Sequence, residues 1–230
     1  MFELAPHNLW LKCPAMARPG ETFTVNLIYG HHFEPEGDID QARARVWAFP
    51  PGGGSRDLEA RADGRSLRAS LTADLPGAWA VLAAYDAGLW AVLADGRHLP
   101  GGRKANPGVE AVRDVHYRKF AKALVVCGTE EAALPGPAGT ELEIVPLALR
   151  DGTLELAVLF FGKPLAGARV SAACRGRRIS RLTRTDGAGQ AAVNLSPGTW
   201  LVIVDHESAP ADPARDPYDN LQAVYSVDIS

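Results

Sequence analysis

The sequence predicts an all-β protein of two β-sandwich modules in tandem. Glycine and proline are frequent along the whole chain, with 23 and 17 copies among 230 residues. They separate many short apolar runs, a pattern typical of short strands joined by compact turns. Hydrophobic residues make up 47% of the chain, which is enough to bury a core in each module.

The first half of the chain contains several candidate strands. Every second side chain of residues 23–29 is apolar or aromatic, as in a strand with one buried face. Further candidates are residues 42–49, 66–71, 78–85 and 89–94, while residues 116–126 fit either a strand or a short helix. The segment Pro135-Gly136-Pro137 then breaks the pattern. We therefore place the boundary there and predict modules of residues 1–135 and 136–230.

The second half predicts a sandwich of closely spaced strands. Turn signals such as Asp151-Gly152 and Asp186-Gly187 separate the apolar runs. The candidate strands are residues 141–145, 154–161, 169–173, 178–185, 190–195, 200–206 and 221–229. A Pro-Gly-x-Trp motif occurs in both halves, at residues 76–79 and 197–200, and leads each time into an apolar run. This repeat predicts a tryptophan anchored in each core.

Composition argues against several classes of protein. The net charge is -3, and the one dense basic stretch, residues 175–184, fits a solvated hairpin, so we expect no nucleic-acid partner. No apolar run approaches the ~20 residues of a membrane span, and no signal peptide is visible. Cys13, Cys127 and Cys174 are too widely spaced for a thiolate zinc site. No catalytic motif is recognisable, so we do not expect an enzyme.

Histidines are the residues most suited to a binding function. Imidazole is the commonest ligand for Ni²⁺, Co²⁺, Zn²⁺ and Cu²⁺ near neutral pH. His31 and His32 follow Gly30 at the end of a predicted strand, where a bend could present both rings at the sandwich edge. Four carboxylates follow and would raise cation affinity: Glu34, Glu36, Asp38 and Asp40. The alternative is a solvated acidic loop with two surface histidines.

Three further histidines are candidate ligands or structural residues. His206 ends a predicted strand on the same face as Trp200, which places it at the rim of the core. His116 lies in the segment that fits either a strand or a helix, and His7 lies near the N-terminus. The candidate metal ligands are therefore His7, His31, His32, His116 and His206. His98 lies in a turn and is not included.

Five motifs in this order resemble the DUF4198 family, described as periplasmic components of nickel and cobalt uptake systems. They are H-x-x-W-L at residues 7–11, G-H-x-F at 30–33, G-K-P-L-A-G-A-x-V at 162–170, T-D-x-x-G-x-A at 185–191 and P-G-x-W at 197–200. The later motifs are also similar to transthyretin-like and carboxypeptidase-regulatory sandwiches, and the modules are expected to be Ig-like or transthyretin-like. The family's histidine positions fall on His7 and His31.

The resemblance implies a non-enzymatic accessory protein that holds Ni²⁺ or Co²⁺ in the periplasm. Its partners would be membrane subunits of an energy-coupling-factor type transporter. Zn²⁺ or Cu²⁺ would also bind such ligands in vitro, because the Irving–Williams order favours Cu²⁺ in any such site. The main alternative is an interaction module without a metal. A transthyretin-like hydrolase and a carbohydrate-binding sandwich, with Trp47, Trp79 and Trp90 as its platform, are further alternatives.

Overall fold

A computed structural model describes residues 7–31, 33–128, 133–177, 180–213 and 216–229 of the protein. Almost every regular element in these segments is a β-strand, which confirms the predicted all-β class. The exceptions are a 3-10 turn at Gln41–Arg43 and a short helix, α1, at Gly102–Ala105. None of the helical segments in the described residues is long and apolar enough to cross a membrane.

The strands follow one another with short connections. In the first half they are β1 (Asn8–Lys12), β2 (Met16–Ala17), β3 (Glu21–His31), β4 (Glu34–Pro35), β5 (Ala44–Phe49), β6 (Arg56–Leu58), β7 (Arg61–Asp63), β8 (Ser66–Ala73), β9 (Gly77–Leu93), β10 (His98–Pro100) and β11 (Ala111–Cys127). In the second half they are β12 (Leu142–Arg150), β13 (Thr153–Phe160), β14 (Lys163–Pro164), β15 (Arg169–Cys174), β16 (Ser180–Arg184), β17 (Gln190–Asn194), β18 (Gly198–Ser208) and β19 (Tyr218–Ile229).

These strands form three sheets. The N-terminal sheet has the order β1-β3-β8-β7, with β4 paired to β3. The central sheet has the order β16-β15-β18-β19-β11-β9-β5-β6, with β10 on β9 and β2 on β11. The C-terminal sheet contains β12, β13 and β14, with β17 paired to β13. The central sheet therefore contains strands from both sides of residue 135, and the division into two modules stays a prediction.

The two main cores lie on opposite faces of the central sheet. On β11, Ala121 and Val125 pack into a core with the N-terminal sheet, whereas Phe120 packs into a core with the C-terminal sheet. Odd and even residues of a strand point to opposite faces, so β11 supplies side chains to both cores. The N-terminal core joins the N-terminal sheet to β5, β9 and β11. The C-terminal core joins the C-terminal sheet mainly to β15, β18 and β19.

The two long central strands differ from their sequence-based description. The predicted strands 78–85 and 89–94 are one continuous strand, β9, with a register shift at Gly88 opposite Tyr117 of β11. Gly88 has a φ of 89°, which a side chain rarely adopts, so the irregularity needs a glycine. The ambiguous segment 116–126 belongs to β11 and is a strand, because it pairs on both sides.

The repeated Pro-Gly-x-Trp motif has the same local structure twice. Trp79 and Trp200 are both fully buried. Each indole Nε1 donates to the carbonyl oxygen four residues earlier, Leu75 at 2.9 Å and Ser196 at 2.7 Å. The motif therefore ties the start of a long strand to the turn before it, once in each half. The predicted tryptophan anchors are confirmed at both positions.

Candidate metal centre

The return from β3 into β4 brings a histidine and a glutamate together. His31 is the last residue of β3 and pairs with Glu34, while Gly30 pairs with Pro35. Phe33 has a φ of 69° in the turn between them. Gly30 has an extended backbone, but a Cβ there would lie 2.0 Å from the Glu34 carbonyl oxygen. The close approach of the returning chain, and not a bend in β3, is thus what requires glycine.

His7 reaches the same place from the N-terminal segment. The adjacent Asn8 begins β1 and pairs with Gly30 of β3, so His7 lies beside the end of β3. Its ring centroid is 4.3 Å from that of His31 and 4.8 Å from that of Tyr29. Tyr29 and His31 are two residues apart on β3 and share one face. The pairing of β1 with β3 therefore brings two imidazoles together.

His7, His31 and Glu36 form a group that could hold a metal ion. One ligand atom from each residue lies within 4.8 Å of the others. Nδ1 of His31 is 2.6 Å from Oε2 of Glu36. A carboxylate that contacts a ring nitrogen can orient the ring for a metal at the other nitrogen, or can join the imidazole as a ligand itself.

Burial favours the neutral, ligand form of His7. Partial burial lowers the pKa of His7 below the ordinary imidazole value, and the nearby His31 and Lys119 lower it further, against the opposing charge of Glu36. A neutral imidazole has a free lone pair for a metal ion. Burial also raises the pKa of the neighbouring Tyr29, with Tyr85 and Tyr117 adding to the effect, so its hydroxyl stays protonated. The imidazole nitrogens of His7 and His31 and the carboxylate of Glu36 therefore remain as the candidate metal ligands.

A polar row on the central sheet borders this cluster. Tyr85 of β9 pairs with Lys119 of β11, and Lys119 pairs with Gln222 of β19. Gln222 pairs in turn with Asp205 of β18. Paired residues point to the same face of a sheet, so the four side chains form one row, on the face that carries the N-terminal core. The Tyr29 ring lies 5.4 Å from the ring of Tyr85.

Lys119 is the unusual member of this row. Its side chain is only 1% exposed, and its Nζ has no hydrogen-bond partner in the described part of the chain. Burial lowers the pKa of Lys119 to about 8, although Asp205 opposes the shift. The amine is therefore still mostly protonated at neutral pH, as a buried charge beside the histidine cluster.

The other candidate histidines lie elsewhere. His116 and His206 face the opposite side of the central sheet: His206 pairs with Leu221, which belongs to the C-terminal core. His116 Nε2 contacts Asp86 Oδ1 at 2.8 Å, and the His206 ring lies 4.4 Å from that of Phe160. The structure thus does not bring either residue to the cluster. His32 lies outside the described residues.

Two residues of the site were not singled out from the sequence. The sequence does not distinguish Glu36 from the three neighbouring carboxylates, because nothing in the pattern shows which of them the hairpin turns toward His31. Lys119 lies in the segment whose strand character was ambiguous. Its apolar surroundings, Phe120, Ala121 and Ala123, were the available signal that a lysine there is buried.

The fold and site define an all-β protein with a histidine and carboxylate cluster at the edge of its N-terminal sheet. The sequence matches the family described as a domain of unknown function, DUF4198, over residues 4–208. The chain therefore belongs to the DUF4198 family, as the five motifs indicated. No curated protein matches the sequence significantly.

Proposed function

We propose that this protein binds a divalent transition-metal ion, Ni²⁺ or Co²⁺, through His7, His31 and Glu36. The observation that carries the proposal is the convergence of their three ligand atoms within 4.8 Å. These atoms come from two chain segments that are brought together by the pairing of β1 with β3. Two imidazoles and one carboxylate are a common ligand set for divalent ions of this kind.

The site is better suited to an exchangeable ion than to a structural one. Three protein ligands leave coordination positions open to water or another ligand, whereas structural zinc sites are closed by four. The His31 side chain is 18% exposed and that of Glu36 is 51% exposed, so an ion can enter from the Glu36 side. We infer that the metal is cargo and not a part of the folded core.

The metal identity and the wider role rest on the sequence resemblance. We propose Ni²⁺ or Co²⁺ because the motifs resemble those of nickel and cobalt uptake components. The same resemblance supports a periplasmic accessory role beside the membrane subunits of an energy-coupling-factor type transporter. Deleting the gene should then reduce uptake of radioactive nickel or cobalt by cells at low external metal. Unchanged uptake would contradict this role, although metal binding itself would stand.

A metal-free interaction module is the competing function. It predicts histidines that are scattered or satisfied by the protein itself. His116, which contacts Asp86, and His206, which packs on Phe160, fit that description. The cluster differs because a second imidazole, that of His7, lies beside the contact between His31 and Glu36. Nothing in the packing of a sandwich requires two adjacent imidazoles beside a carboxylate. The cluster therefore favours metal binding.

Calorimetric titration of the purified, tag-free protein near neutral pH tests the proposal. We expect a single Ni²⁺ or Co²⁺ ion per chain, bound with micromolar or tighter affinity, and Zn²⁺ binding at the same site. Replacing His7 and His31 together by alanine should abolish binding. The matched control is His206→Ala, which removes a half-buried histidine on the opposite face of the central sheet and should leave affinity unchanged. Absence of binding by the wild type, or undiminished binding by the double variant, would overturn the proposal.

A further inference from the structure

Lys119 carries a buried positive charge to which the described residues offer no hydrogen-bond acceptor. The side chain is 1% exposed, and its Nζ, which can donate three hydrogen bonds, donates none to the described residues. Burying an ammonium group without partners is costly, and such groups in native proteins are normally paired. The other buried lysine of the same strand, Lys122, follows that rule, because it forms an ion pair with the buried Glu143.

The neighbours of Lys119 compensate its charge only in part. Nε2 of Gln222 donates to Oδ1 of Asp205 at 2.9 Å, while the buried Gln222 Oε1 atom has no partner among the described residues. The Lys119 Nζ lies 5.8 Å from the centre of the Tyr117 ring. A ring at this distance gives a weak cation–π attraction and accepts no regular hydrogen bond. Within the described residues, the Lys119 ammonium thus lacks a hydrogen-bond acceptor and the Gln222 Oε1 atom lacks a donor.

The charges at the metal cluster show what would satisfy the lysine. Two neutral imidazoles, one carboxylate and a divalent ion carry a net charge of about +1. Lys119 pairs with Tyr85, and the Tyr85 ring lies 5.4 Å from that of Tyr29. The Tyr29 ring in turn lies 4.8 Å from that of His7, so the Lys119 ammonium would repel a metal ion held at the cluster. An anion between the two cations would remove the repulsion. It would also supply the missing acceptor and fill an open coordination position of the metal.

We propose that the cluster of His7, His31 and Glu36 takes its metal together with a small oxyanion, whose oxygens bind the ion and accept a hydrogen bond from Lys119 Nζ. A carboxylate or a bicarbonate has this chemistry, since each offers two oxygens to two cations. The inference rests on the proposed metal-binding function and specifies its substrate: a metal ion accompanied by an anionic ligand, and not the hydrated ion alone.

Titration with Co²⁺ tests the inference, because the visible absorption of Co²⁺ reports the number and type of its ligands. The wild type, Lys119→Met and the control Lys12→Met are titrated in a non-coordinating buffer, alone and with added bicarbonate or acetate. Methionine keeps the length and apolar stem of Lys119 but removes its charge. Lys12 is an exposed lysine at the end of β1, so its replacement changes the net charge equally and leaves the site intact.

We expect bicarbonate, acetate or both to tighten Co²⁺ binding by the wild type and by Lys12→Met about tenfold to a hundredfold, the range of a hydrogen bond to a charged group. The anion should also change the Co²⁺ spectrum. Lys119→Met should bind Co²⁺ alone at least as tightly as the wild type but lose the enhancement. A response to acetate alone would identify an organic carboxylate as the co-ligand, and a response to bicarbonate alone an inorganic one.

Two results would overturn the inference while leaving metal binding intact. One is Co²⁺ affinity in the wild type that does not depend on either anion. The other is an anion effect of equal size in Lys119→Met, which would mean that the amine is satisfied within the protein, for example by Gln222. Failure of the wild type to bind Co²⁺ under every condition would instead overturn the proposed function and this inference with it.

Discussion

At the scale of the residue, the buried charge of Lys119 affects both the stability of the protein and its proposed function. Burial lowers its pKa from 10.5 to about 8, and each pKa unit corresponds to ~1.4 kcal/mol. The folded state therefore carries a penalty of about 3 kcal/mol at neutral pH for keeping this amine protonated. Proteins tolerate such penalties at sites where activity needs them.

Replacing Lys119 by methionine should therefore stabilise the protein, by up to about 3 kcal/mol at pH values below about 8. The unfolded chain still binds this proton between the folded pKa of about 8 and the unfolded value of 10.5. The wild type should gain stability relative to the variant as the pH rises through that window, and the difference should shrink. Urea unfolding of both proteins at several pH values measures this. A variant less stable than the wild type near neutral pH would contradict the prediction.

Glu36 is expected to act on the metal through its charge as well as its position. Glu36→Gln keeps an oxygen that can accept a hydrogen bond from His31 Nδ1 but removes the negative charge, whereas Glu36→Ala removes both. If Glu36 is itself a ligand, both variants should lose at least about tenfold in Ni²⁺ affinity, since second-sphere partners alone cost about 10–100-fold. If it only orients His31, the glutamine variant should keep most of the affinity. Calorimetry of the two variants distinguishes these roles.

The β3–β4 hairpin is the element that builds the site. Its geometry depends on Gly30, where the backbone of Glu34 passes so closely that no side chain fits. The sequence identified Gly30 correctly as a special position but suggested the wrong physical reason for it. A bend was expected, and a close approach between two backbones is what the structure shows. Such an approach cannot be deduced from a single strand, because it depends on where the chain returns.

Gly30→Ala should disrupt the hairpin and with it the position of Glu36. We expect a loss of about 1–3 kcal/mol in stability, as for overpacking in a dense region, together with a clear loss of metal affinity. Gly187→Ala is a suitable control, since a Cβ at Gly187 meets no atom within 4 Å. Thermal unfolding and calorimetric titration of both variants provide the measurement. Wild-type metal affinity in Gly30→Ala would show that the hairpin does not determine the site.

A buried ion pair links β11 to β12 and stabilises the segment between them. Glu143 of β12 is bound to Lys122 of β11 and accepts hydrogen bonds from the backbone nitrogens of Ala138 and Gly139, at 2.7 and 2.9 Å. It thereby holds the segment just before β12, close to the proline-rich break in the sequence. The proline-rich break predicted a boundary between modules. The contact between Lys122 and Glu143, which lie 21 positions apart, is not revealed by local sequence patterns.

Replacing one partner of this pair should destabilise the protein more than replacing both. Lys122→Met leaves the Glu143 carboxylate buried without its counter-charge and should cost about 3–5 kcal/mol. Combining it with Glu143→Gln should recover part of that loss, because no buried charge then remains unpaired. Urea unfolding of the two single variants and the double variant completes the cycle. Additive losses in the double variant would show that the two groups do not interact energetically.

At the scale of the whole molecule, three of the histidines in the described residues make stability depend on pH. Burial lowers the pKa values of His7, His98 and His206. The unfolded chain, with histidines titrating near pH 6.5, therefore binds more protons than the folded protein as the pH falls below that value. Stability should decrease through about pH 6.5 to 5, before most carboxylates titrate.

Urea unfolding across this range measures the effect, and replacing the three histidines by glutamine should flatten the curve. A wild-type curve that is already flat would contradict the prediction. Metal should shift the curve further, since protons compete with the ion for His7 and His31. The loss of stability on acidification should then be larger with Ni²⁺ present, because the contribution of binding disappears as well.

The sequence predicted the local elements of this molecule better than their assembly. Alternation of apolar residues and turn signals located most strands, because these patterns depend only on neighbouring residues. The continuous central sheet was not predicted, since β11 pairs with β19 in parallel across about a hundred residues of chain. The meeting of His7 with His31 was suggested by the family's motif positions, and the buried environment of Lys119 required the fold itself.

The parallel pairing of β11 with β19 has a consequence for the order in which the protein becomes functional. Gln222 lies on β19 and Asp205 on β18, so the surroundings of Lys119 are complete only after β19 has been synthesised. Contacts between such distant segments form slowly during folding. Until β19 has docked, His31 and Glu36 lack the strands that flank Lys119, so we expect the proposed binding of a metal ion with its anion to begin only at that point.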